Sequence, residues 1–333
     1  MVTYMAVRCH GLATHLLPAN VLEALASAKS LQEITAILTP TDYGRRIAGL
    51  GEIDARILEG IFNQTLAERF RHVVKLAPED VEGFIKAYTR RLEVRNLSRL
   101  LRGKHSGVSP EEIRAWLTPL EDLSKLDYEP LLGAESLEEV VKLLKGSPYE
   151  KLKGYVEPCR IYRSVLPLEY ALKGIYYEGL LSHVGGLPSE SKEQILRLIG
   201  LEVDLTNLFT SLAPLVYGYS EDLIGQLLIP FHHKVSSSKL MEAVKAKTPQ
   251  AALSALTPYS RIAEHILGRR DDLAEAERLK LLREEARRTM YSSHIELPYV
   301  MGYLILCELE CRDLIFISIA VEHGISPKGY LAV

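Results

Sequence analysis

Apolar residues recur along almost the whole chain at intervals of three and four. Val21, Leu22, Leu25 and Ala28, then Ile34, Ile37 and Leu38, follow the 3.6-residue period of a helix. Ser30 precedes the second group and Glu33 stands three positions on, the spacing of an N-cap and its reciprocal acid. Val81, Phe84, Ile85, Tyr88, Leu92, Leu97, Leu100 and Leu101 predict another helix. Residues 268–290 carry charges on most faces around a seam at Leu279, Leu282 and Ala286, which predicts a solvated surface helix. Strand-like alternation is nearly absent and β-branched residues do not cluster, so the expected fold is all-α.

A small pattern recurs within these helices: an acid, two residues, then Asn or Asp followed by Leu. It is carried by Glu93, Asn96 and Leu97, by Asp204, Asn207 and Leu208, and by Glu310, Asp313 and Leu314, at spacings of 111 and 106 residues. An offset of 217 also lays Gly107-Val108-Ser109-Pro110 over Gly324-Ile325-Ser326-Pro327, where a helix would end at Gly and restart at Ser-Pro. A further echo places Ile53-Asp54, Ile57, Ile61-Phe62 and Leu66 over Leu168-Glu169, Leu172, Tyr176-Tyr177 and Leu181. Three related blocks account for this. Breaker-rich stretches divide them at 1–146, 147–247 and 248–333, three similar helical domains, with the chain's first helices free to pack with the third. Asn and Asp are poor helix-interior residues because their side chains compete for nearby backbone groups. Their return at equivalent positions implies a tertiary bond that offsets the cost. Glu93, Asn96, Asp204, Asn207, Glu310 and Asp313 are therefore expected to tie each long helix to a neighbour; a metal-binding ring of acids is the less favoured reading.

With 40 basic and 43 acidic residues the net charge is −3, which argues against a nucleic-acid partner held by overall positive charge. At 47% hydrophobic residues, the chain can bury a large core. The four cysteines show no disulfide-framework spacing, and Cys307 and Cys311, four apart, read as small buried apolar residues. The most lipid-like stretch, from Ile295 to Ile325, is split by Glu308, Glu310, Arg312 and Asp313, so no transmembrane span is expected.

Catalytic patterns are wanting. Asp271-Asp272-Leu273-Ala274-Glu275 is similar to the aspartate-rich magnesium site of all-α isoprenoid enzymes, but no second acidic cluster faces it, and acids after Arg269-Arg270 suit the first turn of a helix. His232-His233 follows a Pro and reads as a turn. Gly49-Leu50-Gly51-Glu52 lacks the remaining features of a dinucleotide site, and no Ser or Cys sits in a nucleophile elbow. Arg99, Arg102, Lys104 and His105 read as a solvated helix end. No catalytic, cofactor or metal residue is assigned, and the alternatives are a stand-alone all-α scaffold or a magnesium-dependent isoprenoid enzyme using Asp271, Asp272 and Glu275.

Taken in order, several segments resemble the C subunit of archaeal and bacterial A/V-type ATP synthases, known as the d subunit in the eukaryotic vacuolar enzyme. They are Tyr4, Ala6 and Arg8 before Leu16-Leu17; Glu93 to Leu97 with Leu100-Leu101-Arg102 and Lys104; Leu168-Glu169 with Tyr176-Tyr177; and Gly302-Tyr303-Leu304 through Glu308, Glu310, Arg312 and Leu314. Asp313 in place of Asn, and Val321-Glu322 in place of a basic pair, depart from the family pattern. The resemblance implies a funnel of three helical domains about a pseudo-threefold axis. It also implies a non-catalytic rotor subunit without cofactor, peripheral on the cytoplasmic face of the membrane. Its partners would be the central-stalk subunits and the membrane proteolipid ring, and its work the transmission of torque that couples proton or sodium transport to ATP synthesis or hydrolysis.

Overall fold

The computed structural model describes residues 2–331, and every regular element among them is helical. The first stretch comprises α1 (Val2–Ala13), α2 (Ala19–Ser27), α3 (Leu31–Leu38), α4 (Gly44–Ile47) and the long α5 (Ala55–Leu76). Then come α6 (Glu79–Thr89), α7 (Arg91–His105), α8 (Pro110–Trp116), α9 (Tyr128–Gly133), α10 (Leu137–Leu143), α11 (Val156–Tyr162) and α12 (Leu166–Leu181). The 29-residue α13 (Ser189–Tyr217) leads into α14 (Glu221–Leu227), α15 (Ser237–Lys245), α16 (Pro249–Ala255) and α17 (Ser260–Leu267). Two long helices, α18 (Asp271–Ser292) and α19 (Leu297–Glu322), close the order.

Helix starts are set by local chemistry. Ser30 accepts from the Glu33 N–H at 3.2 Å while Glu33 reaches back to the Lys29 N–H, one residue before the cap, at 2.8 Å, a reciprocal closure of the start of α3 akin to a capping box. Gly107 and Gly324 both adopt positive φ (71° and 67°) after α7 and α19, and the next N–H reaches back to Gly103 and to Ala320 at 2.9 and 2.7 Å. These are matching Schellman closures. The expected restart differs between them. Ser109 caps α8, whereas after Ser326-Pro327 the described chain makes a turn and no helix.

Two expectations change. The apolar pattern from Val81 to Leu101 is two helices that break at Arg90, where the Thr89 hydroxyl donates to the Ile85 carbonyl at 2.9 Å. The same bond is made by Thr65, Thr206 and Thr210 inside α5 and α13, which run on unbroken, so it accompanies the break and does not cause it. The charged helix over residues 268–290 is α18, and it is less solvated than its composition suggests. Ala274, Leu279, Leu282, Arg283 and Ala286 are buried against α19, α17 and α13. Its inward charges are paired: Glu275 with Arg278, and Arg283 with Asp313.

Helix α19 is buried on most sides and packs on α18, α5 and α1. Gly302 lets α18 approach it, since a Cβ there would lie 2.6 Å from the Met290 Cγ and 2.8 Å from the Ala286 carbonyl oxygen. Within the described residues α13 is long and apolar enough to cross a membrane, yet 78% of its most apolar window is buried inside the fold. The buried apolar side chains form one connected cluster from Met5 to Leu331.

Candidate functional site

The repeated acids and amides sit on α7, α13 and α19, and their contacts follow a common plan. Asn96 grips both polar groups of one residue: its Nδ2 donates to the Thr118 carbonyl and its Oδ1 accepts from the Thr118 N–H, each at 2.8 Å. Asn207 makes the same clamp on Ile229, with bonds of 2.9 and 2.8 Å. In both cases the target is 22 residues on, in a loop after a short helix rather than in a neighbouring helix. The two amides are 1% and 0% exposed, so the clamp is fully desolvated. Asp313 is bonded to Arg283 at 2.7 Å, a contact in which both side chains are buried. Leu97, Leu208 and Leu314 lie in the core.

Each acid accepts a hydrogen bond from a tyrosine hydroxyl. Tyr149 donates to Glu93 at 2.7 Å, Tyr259 to Asp204 at 3.0 Å, and Tyr43 to Glu310 at 2.7 Å. Burial first, and then the adjoining carboxylate, push all three phenols up, so each remains the donor. Asp204 also accepts from the N–H groups of His233 and Lys234 at 2.8 and 2.6 Å, which fixes the His232-His233 turn. Glu310 takes Arg69 at 2.6 Å, so α5 and the loop before α4 both close on α19.

These tyrosines reveal a repeat that the acid–amide pattern alone does not carry. Ala28-Lys29-Ser30 precedes Thr41-Asp42-Tyr43; Ala134-Glu135-Ser136 precedes Ser147-Pro148-Tyr149; Ala246-Lys247-Thr248 precedes Thr257-Pro258-Tyr259. Ser30, Ser136 and Thr248 all cap the helix that follows, accepting from the third residue on. Thr41, Ser147 and Thr257 all donate their hydroxyl to the carbonyl three residues back, at 2.6, 2.6 and 2.9 Å. A search for Ser or Thr before a short helix, then Ser/Thr-x-Tyr, finds all three copies.

Two residues before each acid lies a second set of equivalent positions: Arg91, Glu202 and Glu308. They meet. The Arg91 guanidinium is 2.6 Å from the Glu202 carboxylate and 2.7 Å from that of Glu308, and its Cζ lies 4.3 Å over the Tyr88 ring. One residue from each of α7, α13 and α19 thus forms a largely buried triad. Burial, reinforced by Glu202, pushes the Glu308 carboxyl up, although Arg91 opposes the shift. The triad lines a cavity of about 520 Å³ walled by α7, α12, α13, α18 and α19.

The other sequence candidates are dispersed. Arg99 pairs with Glu59, Arg102 with Glu169, and Lys104 donates to the Leu132 carbonyl, so the basic cluster is three separate contacts. Asp271 and Asp272 are exposed on the first turn of α18, and Glu275 is held by both arms of Arg278. No group of three or more His, Cys, Asp and Glu side chains among the described residues is placed to hold a metal ion. Cys307 and Cys311 are buried free thiols, and burial pushes the first up to about 12.

Comparison with known proteins agrees across nearly the full length. The C subunit of the A-type ATP synthase of Methanothermobacter thermautotrophicus is 28% identical over 309 residues, covering 87% of this chain and 78% of the relative. The protein of the same name from Pyrococcus abyssi is 23% identical over 337 residues, covering 98% and 88%. That of Methanocaldococcus jannaschii is 23% identical over 322 residues, covering 92% and 79%. The family model described as ATP synthase (C/AC39) subunit matches residues 5–329, and the chain belongs to that family.

Proposed function

We propose that this chain is a non-catalytic rotor subunit of an A-type ATP synthase. It joins the central stalk to the membrane proteolipid ring on the cytoplasmic face and carries torque between proton or sodium movement and ATP chemistry housed in other subunits. The observation that carries this reading is the meeting of α7, α13 and α19, at equivalent repeat positions, around one cavity. A part that turns with its neighbours needs a stiff body with faces for each. Buried clamps and an axial ion triad stiffen such a body, because breaking any of them leaves an unpaired buried group.

The same bonds suggest how the blocks are divided. One unit runs from α7 to α12 and is closed by Glu93 and Tyr149; the next runs from α13 to α18 and is closed by Asp204 and Tyr259. The third combines α19 with α1–α5 and is closed by Glu310 and Tyr43. In this arrangement the funnel is a ring of three units whose seam brings the first helices of the chain onto the last. The family relationship supports the partners, since the relatives are named as ATP synthase subunits.

Affinity isolation of the tagged chain from gently solubilised membranes, followed by mass spectrometry, tests the reading. Central-stalk subunits and proteolipid are expected together. Recovery of the chain with neither would overturn it.

A further inference from the structure

The acid of the repeated pattern is saturated with donors in two copies and not in the other. Asp204 accepts from the Tyr259 hydroxyl and from the N–H groups of His233, Lys234 and Val235, the last three at 2.8, 2.6 and 3.3 Å. Glu310 accepts from the Tyr43 hydroxyl, the Arg69 guanidinium and the Leu17 N–H. Glu93 accepts one bond only, from the Tyr149 hydroxyl to its Oε2 at 2.7 Å. The residue is 7% exposed, and its Oε1, without a partner among the described residues, opens on a cleft of about 780 Å³.

The missing donors have a definite place. Thr118 and Ile229 are the equivalent residues clamped by Asn96 and Asn207, so Asp122, Leu123 and Ser124 stand where the second copy has His233, Lys234 and Val235. These three line the cleft instead of closing on the acid. The next helix cap, Asp127, comes nine residues after Thr118, whereas Ser236 comes seven after Ile229, so the first stretch is the longer one. Arg71 also holds it, pairing with Asp122 at 2.6 Å and Glu121 at 2.9 Å, and the Leu123 N–H is spent on the Leu120 carbonyl at 2.7 Å.

The other walls define what suits the vacancy beside Glu93. Arg90, Lys125 and Lys145 line the cleft, are exposed, and have no carboxylate within ion-pair distance among the described residues. The remaining charges are engaged: Lys86 pairs with Glu82, Asp122 with Arg71, and Asp127 caps α9. Leu126, Leu131, Leu143 and Leu144 supply apolar surface, and Leu143 is 46% exposed. The volume lies within the roughly 300–1,000 Å³ of small-molecule sites.

We propose that this cleft binds a small zwitterion, with an ammonium group against Glu93, a carboxylate against Arg90 and the two lysines, and a short apolar chain between. An ammonium carries three N–H donors and a positive charge. It thus replaces both what the backbone gives Asp204 and what Arg69 gives Glu310. The carboxylate answers the unmatched cations, which repel an amine bearing further positive charge. Bound in this way, the ligand bridges α7 to the 122–127 stretch and to the turn after α10. The site does not depend on the rotor reading. Glu93 follows Arg91 by two residues, about 200° round α7, so the cleft and the cavity of the triad lie on different sides of that helix.

Three probes of equal chain length separate the charges: ε-aminocaproate, hexylamine and caproate. Their dissociation constants with the full chain are read at pH 7 by ligand-observed NMR. The zwitterion is expected to bind about tenfold more tightly than either single-charge probe. Arg90→Gln, at an exposed position with no ion pair to lose, should weaken ε-aminocaproate about tenfold and leave hexylamine unchanged. Glu93→Gln keeps an acceptor for Tyr149 and should weaken ε-aminocaproate by a similar factor while caproate binds no worse. Circular dichroism checks both variants, and Arg90→Gln decides alone if Glu93→Gln does not fold. A zwitterion no tighter than the single-charge probes, or one unmoved by Arg90→Gln, overturns the proposal. So does the absence of ε-aminocaproate binding at about 10 mM.

Discussion

Replacing Asn207 by Leu removes both halves of a buried clamp and leaves the side-chain volume nearly unchanged. The Ile229 N–H, bonded at 2.8 Å in the native fold, then lies in the core with no partner, while the carbonyl loses its 2.9 Å bond but keeps one from the Phe231 N–H at 2.8 Å. An unsatisfied buried polar group costs about 1–3 kcal/mol and a bond lost from a group that keeps another partner about 0.5–1.5 kcal/mol, so the two cost about 1.5–4.5 kcal/mol. Burying a leucine side chain in place of the amide returns about 1.5–3 kcal/mol. The net loss expected, from the middle of each range, is about 1 kcal/mol. In urea, with a slope of about 3 kcal/mol per molar, the unfolding midpoint falls by about 0.3 M. Asn96→Leu should fall by about 0.6 M, because it leaves both the Thr118 N–H and the Thr118 carbonyl without a partner, at about 2–6 kcal/mol before the same return. Asn207→Asp separates hydrogen bonding from packing. The carboxylate still accepts from the Ile229 N–H, but its second oxygen faces a carbonyl that offers no proton. Its pKa in the folded state must rise above the unfolded value of about 3.9. The added penalty is thus absent below about pH 4 and grows as pH climbs towards the folded pKa. Far-ultraviolet circular dichroism through urea titrations at pH 4 and pH 7 measures all three variants. Midpoints for both Leu variants within about 0.2 M of wild type, or an Asp variant with no pH dependence beyond that of wild type, would refute the clamp as a source of stability.

Other consequences follow from the same contacts. Tyr43→Phe, Tyr149→Phe and Tyr259→Phe each delete one bond to a buried carboxylate and should each cost about 1.5–3 kcal/mol by urea denaturation; a large effect at one site and none at the others would argue against equivalent closures. Arg91→Met leaves Glu202 and Glu308 facing each other without their cation and should cost about 3–5 kcal/mol at pH 7, recovering as the solution is acidified and the carboxylates protonate. Adding Glu202→Leu and Glu308→Leu should restore most of that loss at pH 7, and a triple variant no more stable than the single one would show that the triad matters for another reason. For Glu275, burial alone would raise the pKa, but Arg278, Arg312 and Lys173 together hold it at about 2. Its contribution is therefore present above the ordinary glutamate range and lost as pH falls towards 2, so between pH 5 and pH 3 Glu275→Gln should lose less thermal stability than wild type, as read by scanning calorimetry.

The helical class was legible because 3.6-residue periodicity is a local signal and survives in any tertiary setting. Ser30 and Glu33 could be read as a cap for the same reason, and so could Gly107 and Gly324 as stops. The break at Arg90 was hidden because the apolar spacing runs through it: Tyr88 and Leu92, four apart, are both buried although they lie on different helices. The burial of α18 was hidden by its charges, which turn inward to find partners on α19 and on α18 itself. The acids and amides stood out by recurring at unfavourable helix positions. Their partners did not, because Tyr149 and Tyr259 lie 56 and 55 residues away, and Tyr43 closes on Glu310 from the other end of the chain. Collinear blocks drawn at breaker-rich loops separate each acid from its tyrosine.

Position and chemistry have diverged to different extents in the three copies, and the pattern of divergence has a physical basis. Contacts from acid to tyrosine and from Asn96 or Asn207 to a loop residue use residues other than the triad, so each copy of the pattern can keep them independently. The position two before the acid cannot be kept in that way. Three identical carboxylates meeting at one desolvated point would repel one another, and at most some of them could ionise. Substituting a single Arg91 among Glu202 and Glu308 turns that repulsion into two ion pairs, but only by making one helix unlike the other two. Where these three positions carry ionisable groups, unlike charge is what lets them meet in a desolvated place. Once α7 supplies the cation, basic residues at Arg95 and Arg99 extend the same difference along one wall of the cavity. The triad that ties α7, α13 and α19 to one another is thus also the feature that distinguishes their cavity-facing sides.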